Sequence, residues 1–140
     1  APHHDLQVRG GEAHMEVGKP VHFVEDHVNH LTISVKPFGC MPSSGVSDGV
    51  QAAVTTKYPE ALFLPIETTG DGAVNVQSRI QMMLFKARQK AKTELETILQ
   101  ERGLEMAEFQ SRLQRGRYRS PVSWPPHRVA GTAANLAAAV

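Results

Sequence analysis

The stretch VKPFGCMPSSGVSDGVQ, residues 35 to 51, decides the fold, because an apolar strand passes through a turn into a helix there. Cys40, the only cysteine of the chain, lies in this turn with a proline on either side. Because prolines restrict the backbone, we expect the turn to present Cys40 rather than bury it. Ser44 and Ser47 are candidate N-caps of the helix. A helix N-terminus beside Cys40 would favour the thiolate, the form that ligates metals.

The segments on both sides of this stretch indicate a parallel α/β unit. Residues 21 to 24 and 31 to 35 alternate apolar and polar positions, which predicts two strands joined by a turn at 25 to 27. Residues 46 to 57 have the pattern of a helix, and the apolar run at 61 to 66 is typical of a strand covered on both faces. Strand, helix and strand in this order predict a right-handed parallel crossover.

The remaining sequence is mainly helical. Apolar spacing predicts one long helix from Asn75 to Gly103 and a short one at 104 to 113. We therefore expect an α/β fold, with a small, mostly parallel sheet of Rossmann or flavodoxin-like type, a hairpin at its start, a long C-terminal helix and an extended tail. The expected organisation is an irregular entry segment at 1–20, an α/β domain with a helical hairpin at 21–113, and an extended tail with a short Ala-rich helix at 114–140.

Composition narrows the functional classes. The chain has 140 residues, 41% hydrophobic and 21% charged, which is typical of one soluble domain. No apolar stretch is long enough to span a membrane. A single cysteine excludes an intramolecular disulfide and favours a reducing, cytoplasmic location. The start lacks the features of a signal peptide, and a first residue other than Met suggests a processed protein or a piece of a longer one.

Two further patterns have competing interpretations. Six of the seven histidines precede residue 31, but zinc sites usually need three or four convergent ligands, so surface histidines are favoured over a metal site. Residues 115 to 119, RGRYR, combine arginines with an aromatic ring, as nucleic-acid-binding segments do. Because the patch is short and the net charge is only +1, we expect instead a docking strap anchored by Trp124 and no nucleic-acid partner.

Residues 18 to 88 resemble the C-terminal part of the 2-hydroxyacyl-CoA dehydratase and benzoyl-CoA reductase family, in particular its long members fused to an ATP-dependent activase. Four short motifs carry the resemblance in order: 36–40 (KPFGC), 48–49 (DG), 64–67 (LPIE) and 78–80 (SRI). In that family a late strand ends in a cysteine that ligates an iron-sulfur cluster. The next strand and helix carry an acidic residue and an arginine.

The resemblance implies that Cys40 ligates an iron-sulfur cluster of 4Fe-4S type, and that Ser43, Ser44, Glu67 and Arg79 belong to the cofactor-binding site. Since such clusters are usually held by about four cysteines, the other ligands would come from other domains or subunits, and the chain would not be catalytic alone. The implied function is the cluster-contacting part of a dehydratase or reductase, in electron transfer to, or reductive or radical chemistry on, an acyl-CoA-type substrate of anaerobic metabolism. The alternative is a non-catalytic α/β assembly module of a larger complex.

Three geometric expectations belong to these hypotheses. Cys40 should lie at the carboxyl end of its strand, close to the helix that begins near Ser47. The loop at 67–71 should share that sheet edge, because parallel strands end on the same side. Arg79 should lie in the first turn of the long helix, where a cation needs an anionic partner. Glu67, Asp71 or a bound carboxylate or phosphate would supply the partner.

Overall fold

The computed structural model describes residues 7, 13–41, 43, 48–120 and 122–140. In chain order the elements are α1 (Ala13–Glu25), β1 (Leu31–Pro37), α2 (Asp48–Lys57), β2 (Leu62–Thr68), α3 (Ala73–Arg102), α4 (Met106–Arg115), a 3-10 turn (Arg117–Arg119) and α5 (Thr132–Ala139). Contacts divide the chain into two compact units, Ala1–Lys86 and Ala87–Val140. Helix α3 contributes residues to both units.

The first unit contains the sheet. Strands β1 and β2 pair in parallel, with a register that runs from Leu31 opposite Leu62 to Pro37 opposite Thr68. Helix α2 is the connection between them. The α/β class, the parallel pairing and the strand predicted at 61 to 66 are therefore confirmed.

The core of the first unit lies on one face of β2. Leu64 and Ile66 are buried there against Met83 of α3, and Val76 and Ile80 of the same helix pack on this cluster. The apolar residues of α3 recur every three or four positions, so one face of the helix covers the strand.

The first arm of the predicted hairpin is not a strand. Residues 21 to 24 lie in α1, and so do residues 13 to 20, which were expected to be irregular. The chain does turn at Asp26 and His27 before β1, as predicted. Val17 is buried and Val21 and Val24 are half-buried, so the apolar positions of α1 follow the helical spacing of three to four residues. A four-residue alternation is too short to distinguish a strand from part of such a helix.

The second unit is helical. Leu99 of α3, Phe109 of α4 and Ala137 of α5 form its buried cluster. Gly103 ends α3 with φ +61°, and the N–H of Leu104 donates to the carbonyl of Leu99 at 2.9 Å. Glycine adopts this left-handed conformation readily. The predicted end of the long helix, the helix that follows it and the Ala-rich terminal helix are confirmed.

Trp124 does not anchor the tail on this chain. Its side chain is 75% exposed, so the prediction of a strap held down by this residue is wrong. Among the helices that the structure describes, none is both long enough and apolar enough to cross a membrane.

Candidate functional site at the carboxyl end of the sheet

Cys40 follows the carboxyl end of β1, as predicted. The ladder continues for one residue beyond the strand, since the N–H of Phe38 donates to the carbonyl of Thr68 at 3.2 Å. Gly39 then takes φ +67°, and the N–H of Cys40 donates to the carbonyl of Pro37 at 3.2 Å. This tight turn leaves Cys40 half-buried with a free thiol. Its predicted proximity to a helix start near Ser47 falls outside the described residues.

Glu67 holds the turn that carries Cys40. Its Oε1 accepts a hydrogen bond from the N–H of Gly39 at 3.2 Å. Thr68, the next residue, donates from Oγ1 to the carbonyl of Lys36 at 3.2 Å. The strand ends therefore share one edge, as the parallel crossover predicted, and the Glu67 side chain links them directly.

Ser43 connects the turn to α1. It is 4% exposed, and its Oγ lies 2.9 Å from Oε1 of Glu16 and 3.4 Å from Sγ of Cys40. A hydroxyl carries one proton, so Ser43 donates to only one of these two atoms at a time. Sequence reasoning missed Glu16 because it lies in the segment expected to be irregular. Ser44, the other predicted serine of the site, falls outside the described residues.

Arg79 has a different position and partner from those predicted. Because α3 begins at Ala73 rather than Asn75, Arg79 is its seventh residue and lies beyond the first turn. Its Nη2 donates to the main-chain carbonyl of Pro65 at 2.9 Å. The expected partners were Glu67, Asp71 or a bound carboxylate or phosphate, but Glu67 instead accepts from the turn of Cys40. A peptide carbonyl therefore accepts one of the five N–H donors of this guanidinium.

These residues do not form a complete metal site. Among the described residues, no three His, Cys, Asp or Glu side chains lie together in a way that would hold a metal. Cys40 is the only thiol of the chain, whereas clusters usually need about four. The chain alone therefore does not fit an iron-sulfur cluster, and ligation by Cys40 within a larger complex stays a prediction.

The two outer edges of the sheet differ. Thr68 and Phe38 bond across the ladder, so the alternation of a strand directs the main-chain groups of Pro65 outward on β2 and those of Ile33 and Val35 outward on β1. On β2, Pro65 has no N–H, and its carbonyl is bonded to Arg79. On the outer edge of β1, Pro37 likewise lacks an N–H and its carbonyl accepts from Cys40. In the described part of the chain, the main-chain groups of Ile33 and Val35 have no such protection.

Apolar side chains follow this open edge. Exposure rises along β1 and its turn, in a series that we call the apolar edge: Ile33 38%, Val35 63%, Phe38 74% and Met41 82%. The alternation of apolar and polar residues in β1 was predicted from the sequence, and the structure leaves Ile33 and Val35 of the apolar side exposed. Helix α3 packs on β2 and leaves this part of β1 open.

Comparison of the chain with protein-family models, with curated proteins and with solved structures finds no match.

Proposed function

We propose that this chain is a non-catalytic α/β assembly module of a larger complex, and that a strand of the partner adds to the free edge of β1. The observation that carries the proposal is the difference between the two edges. The middle of the β2 edge is closed by Pro65 and by the guanidinium of Arg79. On β1 the main chain is open at Ile33 and Val35 within the described part of the chain, and the side chains there are apolar.

The difference between the two sheet edges indicates where a partner could bind. An open edge strand presents unpaired N–H and C=O groups, and proteins usually protect such edges with proline, charge or a covering element. A sheet of two strands is also marginal by itself. Contiguous exposed apolar surface commonly marks an interaction site. Among the described residues, Pro65 and Arg79 protect the middle of the β2 edge, whereas β1 is protected only at its end by Pro37. This difference favours the stretch from Ile33 to Val35 as the place where a further strand pairs.

The chemistry of the edge defines the partner. The outward main-chain groups of Ile33 and Val35 are two residues apart, and an extended backbone offers complementary donors and acceptors at that spacing. Apolar residues at alternate positions of the added strand would cover the exposed side chains. We therefore expect the partner to be an extended segment of another subunit or domain with alternating apolar residues.

The test compares two substitutions of exposed valines in the complex isolated from the native source. Val35→Lys places a charge on the apolar edge, and Val74→Lys is the control, because Val74 is 81% exposed on α3. We expect the first variant to lose the partner and the second to retain it, with unchanged circular dichroism in both. A photo-crosslinker at Val35 should map the contact to an extended segment of the partner.

Two results would contradict the proposal. The first is retention of the partner by Val35→Lys. The second is self-association of the pure chain that this substitution abolishes, since the occupant of the edge would then be a second copy.

The position of Cys40 favours a second candidate function. A half-buried thiol at the carboxyl end of a parallel sheet, beside Ser43 and close to the turn held by Glu67, lies where open α/β sheets bind ligands. In this hypothesis Cys40 supplies one ligand to an iron-sulfur cluster completed by other subunits of a dehydratase or reductase that acts on an acyl-CoA-type substrate. No reaction step is assigned to this chain.

Iron and acid-labile sulfide in the anaerobically isolated complex separate the two candidates. Cys40→Ser should remove iron if the thiol is a ligand, whereas Ser43→Ala keeps the thiol and should retain it. Unchanged iron in the Cys40→Ser complex would leave only the assembly role.

A further inference from the structure

The acidic and basic residues of this chain are separated along its length. All 14 Asp and Glu residues precede Phe109, whereas residues 109 to 140 carry five arginines and no acidic residue. The net charge of +1 therefore conceals a strongly basic C-terminal segment. Such asymmetry commonly accompanies an anionic partner.

The fold of the second unit gathers four of the five arginines around one cleft. The cleft has a volume of about 770 Å³ and lies between the end of α4, the 3-10 turn and the end of α5. Its arginines are Arg112, Arg115, Arg117 and Arg128, and no acidic side chain lies among the described residues that line it. A volume of this size is within the range of small-molecule sites, roughly 300–1,000 Å³.

Two of these guanidinium groups have structural partners. Arg112 pairs with Glu108 at 2.6 Å and donates to a main-chain oxygen of Val140, the last residue of the chain, at 3.1 Å. Arg117 lies over the ring of Tyr118 and donates to its hydroxyl at 2.5 Å. Arg112 therefore lies at the C-terminal ends of α4 and α5, where a cation stabilises a helix.

Arg115 and Arg128 have no such role. Neither guanidinium group makes a hydrogen bond or ion pair with a described residue, although both arginines line the cleft. The main chain at Arg128 is nevertheless fixed, because its N–H donates to Oδ1 of the buried Asn135 at 2.9 Å. The backbone at Arg128 is thus held beside the other arginines, and none of the described side chains that line the cleft is an anion.

We propose that this cleft binds a small molecule through a phosphate group. Guanidinium groups bind phosphate oxygens in a planar, bidentate geometry, and these charge-assisted hydrogen bonds are stronger than neutral ones. The phosphate would bind to Arg115 and Arg128, and its charge would reduce the repulsion among the four cations. This site is in the second unit and is independent of the proposed assembly role.

The test measures binding by the full chain with four probes: ADP, inorganic pyrophosphate, adenosine and single-stranded oligouridylate. Calorimetric titration should show that ADP and pyrophosphate bind and that adenosine does not. The double variant Arg115→Gln/Arg128→Gln should weaken ADP binding roughly tenfold or more, as expected for the loss of charge-assisted hydrogen bonds. Arg88→Gln is the control, since it removes an exposed arginine of α3 that does not line the cleft.

Circular dichroism should show that all variants are folded. The proposal is overturned if ADP does not bind, if adenosine binds as tightly as ADP, or if the control weakens binding as much as the double variant. It is also overturned if oligouridylate binds more tightly than ADP with a steep salt dependence that the double variant removes, because the cleft would then be part of a nucleic-acid interface.

Discussion

Replacement of Asn135 by alanine should destabilise the second unit, because this buried side chain holds the segment that leads into α5. Its Oδ1 accepts from the N–H groups of Arg128 and Val129 at 2.9 and 3.1 Å, and its Nδ2 donates to the carbonyl of Val129 at 2.7 Å. Asn135 is 6% exposed, so water does not readily replace these bonds in the folded state.

The expected magnitude comes from the three hydrogen bonds. Each contributes about 0.5–1.5 kcal/mol net, and a buried group left without a partner costs more. Alanine is a better helix former than asparagine by up to about 0.7 kcal/mol, which offsets part of the loss in α5. We expect the free energy of unfolding of the second unit to fall by about 2–3 kcal/mol.

Urea denaturation followed by circular dichroism, together with amide hydrogen exchange of α5, measures this change. Asn75→Ala is the matched control, because Asn75 is an exposed asparagine of α3 and should alter stability by less than about 0.5 kcal/mol. A loss below about 1 kcal/mol for Asn135→Ala, or equal losses for both variants, would refute the reasoning.

Two further predictions concern a tyrosine and a glycine. The hydroxyl of Tyr58 donates to a carboxylate oxygen of Glu25, and this bond raises the tyrosine pKa above 10.0. The resulting stabilisation is present below the ordinary pKa and is lost as pH rises through the raised one. Tyrosinate absorbance in a Tyr118→Phe background should titrate at lower pH after Glu25→Gln, and an unchanged midpoint would contradict the assignment. Gly103→Ala should lower the free energy of unfolding by about 1 kcal/mol, because φ is positive there. Gly70→Ala is the control, since Gly70 has open space around it and no positive φ, and it should cost less in the same urea titration. Equal costs would show that a side chain does not strain the left-handed turn.

The local sequence predicted a helix or strand correctly where its apolar spacing fits only one type of secondary structure. The apolar run at 61 to 66 became β2, and the long i, i+3, i+4 series became α3 with its end at Gly103. Both predictions depended only on periodicity and on the conformational freedom of glycine. The parallel order of the strands also predicts that Glu67 lies at the same edge as Cys40, and the hydrogen bond from Gly39 to Glu67 confirms it.

Errors arose where the pattern was short or a boundary mattered. Residues 21 to 24 fit a strand and a helix equally well, and burial of Val17 in α1 shows which spacing applies. A shift of two residues in the start of α3 moved Arg79 out of the first turn and gave it the carbonyl of Pro65 as partner. The first residue of a helix depends on the local backbone geometry of its cap, and the spacing of apolar residues contains no information about that geometry.

The sequence by itself determined the class of fold, the order of its main strands and helices, and the single thiol at a strand end. Only the tertiary structure decided that α3 covers β2 and leaves β1 open, and that Arg112, Arg115, Arg117 and Arg128 surround one cleft. The physical reason is distance along the chain. Hydrophobic period and turn chemistry act over a few residues. The contacts of Glu16 with Ser43 and of Glu94 with Gly131, in contrast, exist only once separate segments have packed together.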